Sequence, residues 1–247
     1  MTYEDIANQL APLESFDPSV FQGDAVISQK LCDFVLALTI AYNDLRDSTF
    51  ALILLDDVVV NNDKIPTPQL GLRNGLKETV LRIHIGFINE LLALVAANKV
   101  ILDHQAFRSL VNKLSVKGKK SWASIQSAAC DKKSNDPLVK ALIIIRNKVA
   151  FHYDATQIGK AYKLAFLTKS EYDKPLLSRG SSMRETRFYF ADAASQKYIR
   201  DNATQKIILD FLEGRGTLRE DINLALFELI TKFINSRSTW QKYKVGT

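Results

Sequence analysis

Asp136-Pro137-Leu138-Val139-Lys140-Ala141-Leu142-Ile143-Ile144-Ile145-Arg146-Asn147-Lys148-Val149-Ala150-Phe151-His152-Tyr153-Asp154 is the stretch on which the reading of this chain turns. Aspartate before proline is a helix start, because the carboxylate caps free amides and proline is tolerated at the first helical position. The helix opened there is apolar almost all round from Leu138 to Phe151. Such a helix must be buried on nearly every side, at the centre of a bundle or against a second subunit. At its far end a guanidinium, an amide, an imidazole, a phenol and a carboxylate crowd together, and burying such groups without partners costs on the order of several kcal/mol. The cluster therefore demands a reason.

The flanks are read as helices too. After Gly23-Asp24, apolar residues at Val26, Leu31, Phe34, Val35, Leu38 and Tyr42 follow helical spacing and continue towards Leu55, with a kink expected near Asp47-Ser48. Asn61 to Pro68 concentrates turn formers and reads as an exposed loop. A second long helix is expected from about Leu72 to Ile101, with Leu76, Val80, Ile83, Phe87, Leu91 and Leu94 on its buried face. Shorter helices follow at roughly 104 to 115 and 119 to 129, separated by the basic turn Ser115 to Lys120, which reads as solvated rather than as a phosphate cradle. Ala155 to Leu167 reads as another helix, Lys174 to Arg184 as a loop, and Arg187-Phe188-Tyr189-Phe190 is β-prone and reads as one short strand or extended segment, pairing locally if at all. Two C-terminal helices are expected at about 193 to 212 and 218 to 237, the second opening at Thr217 with Glu220 as a capping box. The expected organisation is an N-terminal arm over 1–22, a helical core over 23–170, a loop or short extended segment over 171–192, and helices over 193–247 packed on the core. The fold class is all-α, a bundle with long antiparallel helices and at most a short local β element.

Composition bounds this reading. At 247 residues, 47% apolar and 24% charged, the chain can bury a sizeable core and is neither disordered, collagen-like nor a coiled-coil rod. Thirty-three basic residues against 27 acidic ones give a formal charge of +6, which suits a polyanionic partner without selecting one. Cys32 and Cys130 have no partner at metal or redox spacing and read as reduced core thiols. The first residues are acidic and carry no basic n-region, and the uninterrupted apolar runs, such as Phe50 to Leu55, fall far short of a membrane span of about 18 residues. The expectation is a cytoplasmic protein that does not enter a membrane.

Arg146, a polar residue directly after it in Asn147, and His152 five intervening residues from the arginine together resemble the Arg/His motif of HEPN domains, many of which are ribonucleases. The resemblance covers 136–154 closely and the preceding long helices loosely. It implies a helical HEPN-like fold, a homodimer in which two such helices face each other, and metal-independent RNA cleavage without a cofactor. That chemistry needs the 2′-hydroxyl deprotonated, charge on the phosphorane stabilised and a proton given to the departing 5′-oxygen. Histidine moves protons near neutral pH, and arginine holds phosphate in a charged fork. The resemblance thus implies His152 as acid or base, Arg146 as phosphate clamp and Asn147 as a positioning group, with Lys148 and Tyr153 on the substrate and Asp154 in support. Six residues at 100° each set His152 about 120° from Arg146 around one helix, so a site composed from two copies answers the geometry better than one helix alone. The partners implied are RNA, a second copy, and an antitoxin or other partner protein.

The same residues have a plainer use. Arg146 can pair with a carboxylate, Asn147 can satisfy backbone, and His152 can sit at a helix C-terminus, where a cation is favoured by about 0.3–1 kcal/mol. A non-catalytic HEPN-like dimer binding a partner protein or nucleotide is the alternative. His84 and His104 read as core or capping residues, and Trp122, Trp240 and Tyr243 as packing residues. No Gly-rich phosphate loop or His-Glu-x-x-His run is present.

Overall fold

The computed structural model describes residues 2, 4, 5, 8, 10–57, 67–130, 154–168, 174–202 and 217–242. In chain order its elements are β1 (Glu14–Ser15), a 3-10 turn (Pro18–Phe21), α1 (Gln29–Asp56), α2 (Pro68–Ala97), α3 (Lys99–Asp103), α4 (Gln105–Asn112), α5 (Val116–Cys130), α6 (Ala155–Lys163) running into a π turn (Leu164–Thr168), α7 (Tyr189–Asn202), α8 (Thr217–Asn235) and β2 (Gln241–Lys242). The fold is all-α with a very small β element, as the patterning implied. The helix expected from Asp136-Pro137 onward lies outside the described residues.

The chain forms two compact units, each drawn from three stretches: Met1–Tyr3, Asp47–Asn89 and Asn135–Leu209 in the first, Glu4–Arg46, Glu90–Ser134 and Asp210–Thr247 in the second. The division falls inside α1, after Arg46, and inside α2, after Asn89.

In the second unit α5 packs along α8. Trp122 of α5, 1% exposed, meets Phe107 of α4 edge-on at 5.4 Å between ring centres, and Phe107 meets Phe34 of α1 at 5.7 Å. Such edge-to-face pairs add about 0.5–1.5 kcal/mol beyond the area they bury. Trp122 is a packing residue. α1 starts later than the apolar periodicity suggested, because the Asp24 carboxylate accepts from the amides of Val26 and Ile27 and holds them in a turn, leaving Val26 74% exposed. The only strand pairing among the described residues joins β1 to β2 antiparallel, Glu14 opposite Lys242 and Ser15 opposite Gln241.

The basic turn before α5 is already occupied. Ser115 caps the helix, its hydroxyl accepting from Gly118 N at 2.9 Å. Glu228 of α8 then accepts from both the amide and the hydroxyl of Ser115, at 2.8 and 2.6 Å. A carboxylate from the chain itself thus fills the anion-favouring helix end. A Cβ at Gly118 would stand 2.3 Å from that carboxylate. Gly118→Ala is therefore expected to lower the urea midpoint in the wild-type background, by a loss of about 1 kcal/mol as the Glu228 bonds are displaced. In a Glu228→Ala background the same change is expected to stabilise, since alanine suits a helix better than glycine by about 0.5–1 kcal/mol. The same sign in both backgrounds would show that Gly118 is not there for Glu228.

In the first unit α6 packs along α7 through small residues, Ala161, Ala165 and Ala194 all being buried, with Tyr198 packed on Ala161. α7 begins at Tyr189, so the β-prone segment is split: Arg187 pairs locally with Ser178 in one isolated bridge, while Tyr189 and Phe190 open a helix. The rings that raise β-propensity find their packing here on other rings, Phe190 standing edge-on to Tyr162 at 6.1 Å and to Phe188 at 5.8 Å. Thr67 and Pro68, read as loop, are the start of α2: the Thr67 hydroxyl accepts from Leu70 N at 3.2 Å and Pro68 is the first helical residue.

The face of α2 also differs from the expected one. Leu91 is buried as expected, but Leu76 and Ile83 are 41% and 39% exposed, whereas Glu78, His84, Ile85, Ile88, Leu92 and Val95 are buried. Apolar residues lie nearly all round this helix, so their periodicity does not select a face. By length and composition α2 could cross a membrane, with an 18-residue window of mean hydropathy 1.7. Uninterrupted runs hide this, because Arg82, His84, Asn89 and Glu90 break them.

Candidate functional site

Arg146, Asn147, Lys148, His152 and Tyr153 lie outside the described residues. The first described residue after them is Asp154, which has a structural role: φ −72° and ψ 94° take it out of the helical region, and its carboxylate accepts from Gln157 N at 3.1 Å to cap α6. A helix start at Ala155 means that α6 is a new element. Lys160 and Lys163 stand in its last turn, where cations suit the helix dipole.

The other histidines are in structural positions. His84, 3% exposed on α2, has its Nδ1 2.7 Å from the hydroxyl of Ser48 on α1, itself buried. This serine–histidine pair belongs to the first unit, and both side chains are buried. A nucleophile needs access to its substrate, so the pair is a buried polar tie that satisfies both groups. His104 caps α4, its Nδ1 accepting from Ala106 N at 3.3 Å. Cys32 is fully buried and burial pushes its thiol up, which keeps it inert. Among the described residues no group of three His, Cys, Asp or Glu could hold a metal ion.

Sequence reasoning missed a charged cluster between α2 and α7 in the first unit. Glu78 is 4% exposed and burial raises its carboxyl from 4.5 to about 7, against the pull of Ser195, the Arg82 charge and Gln196. Asp192 raises it further by like charge. Neither Glu78 oxygen makes a hydrogen bond of good geometry, and the Ser195 hydroxyl is likewise buried without one. Beside them Arg187 holds Asp192 at 2.9 Å, its guanidinium lying against Gly75, where a Cβ would stand 1.7 Å from it. A carboxyl that exchanges its proton near neutrality is what acid–base chemistry uses. Here it is shut off from solvent, so its proton bears on the stability of the α2–α7 packing. No local signal marked it, because Glu78 lies between Lys77 and Thr79, with Asn74 and Arg82 one turn away, like an ordinary solvated acid.

No family model, curated protein or solved structure matches the chain.

Proposed function

We propose that this chain is a metal-independent, HEPN-like endoribonuclease acting as a homodimer in the cytoplasm, in defence or toxin–antitoxin restriction of RNA. The observation that carries the reading is the sequence Arg146-Asn147 followed by His152 at the end of an apolar stretch whose Asp136-Pro137 start reads as that of a helix. The all-α fold is compatible with it. So is the +6 charge, since a polyanionic substrate gains from counterion release.

In this reading His152 takes the proton of a ribose 2′-hydroxyl, the 2′-oxygen attacks the adjacent phosphorus, and the bond to the 5′-oxygen breaks. The departing oxygen takes a proton from His152 of the second copy, and the products are a 2′,3′-cyclic phosphate and a 5′-hydroxyl. Arg146 holds the non-bridging oxygens as charge builds on them, and Asn147 orients the phosphate. Lys148 and Tyr153 hold the flanking strand.

A second reading is a non-catalytic HEPN-like dimer that binds a partner protein or nucleotide. The apolar girth of 138–151 favours it, because packing alone makes use of such a helix. Purified protein of confirmed dimeric state, incubated in EDTA with a mixed RNA pool, separates the two. Cleavage is expected; intact RNA across every pool tried turns the assignment to the second reading.

A further inference from the structure

The first unit contains a pocket of about 370 Å³ between the first two turns of α2 and the start of α7. It is independent of the 146–152 motif and of the ribonuclease reading. Its size falls in the range of small-molecule sites. The wall on the α7 side is aromatic, made of Tyr189 and Phe190, with Phe166 of the π turn. These rings are held before any ligand arrives. Tyr162 packs on Phe166 at 4.9 Å and on Phe190 at 6.1 Å, and the Tyr189 hydroxyl lies 2.9 Å from that of Ser178 and donates to the carbonyl of Pro68 at 3.3 Å.

Gly71 sets the narrowness of the slot. A Cβ there would stand 2.4 Å from the Tyr189 ring, so glycine lets that ring lie against the α2 backbone. Leu176 and Leu177 complete an apolar rim and are 43% and 49% exposed. Two exposed leucines beside a preformed aromatic wall are the pattern of a site that takes an apolar body.

Charge selects among apolar bodies. Of the residues lining the pocket, one is basic, Lys174, and one is acidic, Asp192. Asp192 is neutralised by Arg187 at 2.9 Å. Among the described residues Lys174 has no ion-pair or hydrogen-bond partner, and it is exposed at the mouth. Among the described residues the uncompensated charge of the pocket is therefore one cation at its rim, above aromatic walls.

We infer that this pocket binds a small organic monoanion, with a flat aromatic body lying along Tyr189 and Phe190 and its anionic group at Lys174. The probe is 1-anilinonaphthalene-8-sulfonate, an aromatic monoanion whose fluorescence rises in apolar surroundings, compared with N-phenyl-1-naphthylamine, the same body without the sulfonate. The full-length protein is expected to bind the sulfonate saturably at one site per chain. Lys174→Glu, a change at an exposed side chain, should weaken the sulfonate about tenfold and leave the neutral compound unchanged, because it reverses one partly solvated charge. Ala193→Phe, which fills the pocket from α7, should weaken both compounds while circular dichroism stays that of the wild type. Sulfonate binding that is absent, unsaturable or unmoved by Lys174→Glu overturns the inference. So does equal weakening of both compounds by Lys174→Glu, which would remove the role given to charge. The Lys174 variant decides the matter even if Ala193→Phe fails to fold.

Discussion

Glu78→Gln is expected to raise the urea midpoint at pH 8 and to leave it nearly unchanged at pH 4. The folded chain holds the Glu78 proton until about pH 7, whereas the unfolded chain releases it near 4.5. Between those values the folded state binds more protons than the unfolded state, so stability falls as pH rises through the window and the loss is complete above it. The shift corresponds to about 3 kcal/mol for a group this deeply buried. Glutamine keeps the shape and has no proton to lose, so the variant's stability should lack this decline. The charged neighbours Arg82, Asp192 and Arg187 remain in both proteins, and comparison of the two pH profiles isolates Glu78. Parallel profiles from pH 4 to 8 would mean that the carboxyl ionises in the folded chain as it does in water.

His152→Ala and Arg146→Ala are expected to lower RNA cleavage by at least about 10²-fold each, the scale of a lost acid–base or charge-stabilising group. Far-ultraviolet circular dichroism should be that of the wild type in both. The composite site adds a sharper expectation. Because each turnover uses one His152 from each copy, re-annealing His152→Ala with the wild type forms mixed dimers that lack one of the two, and activity should fall with roughly the square of the wild-type fraction. A fold defect in either variant, with no cleavage by the parent protein, would assign both residues to packing.

How much was legible in the sequence depended on whether one local rule decided the outcome. The long helices were visible because apolar periodicity over 28 and 30 residues has few other solutions. The face that α2 buries was not, because Leu72, Leu76, Val80 and Ile83 compete with Ile85, Ile88 and Leu92, and tertiary packing chose the second set while taking Glu78 inward. Thr67-Pro68 was read as the end of a loop although threonine before proline is also a helix start, and the hydroxyl bond to Leu70 N shows which rule prevailed. Tyr189 and Phe190 were read by strand propensity, which measures how well a ring packs rather than what the backbone prefers. The grip of Glu228 on Ser115 joins residues 113 positions apart and has no local signature. For the candidate site the position was reversed. Resemblance to the HEPN motif singled out Arg146, Asn147 and His152, which lie outside the described residues, while the pocket beside Lys174 and the Glu78 cluster became visible only when α2 and α7 came together.

The most direct measurement is the chemistry of any RNA ends that the wild-type protein produces in EDTA, with His152→Ala run beside it. The account predicts 2′,3′-cyclic phosphate and 5′-hydroxyl ends from the wild type and none above background from the variant. Ends bearing 3′-hydroxyl and 5′-phosphate, or cleavage unchanged by the loss of His152, would contradict it.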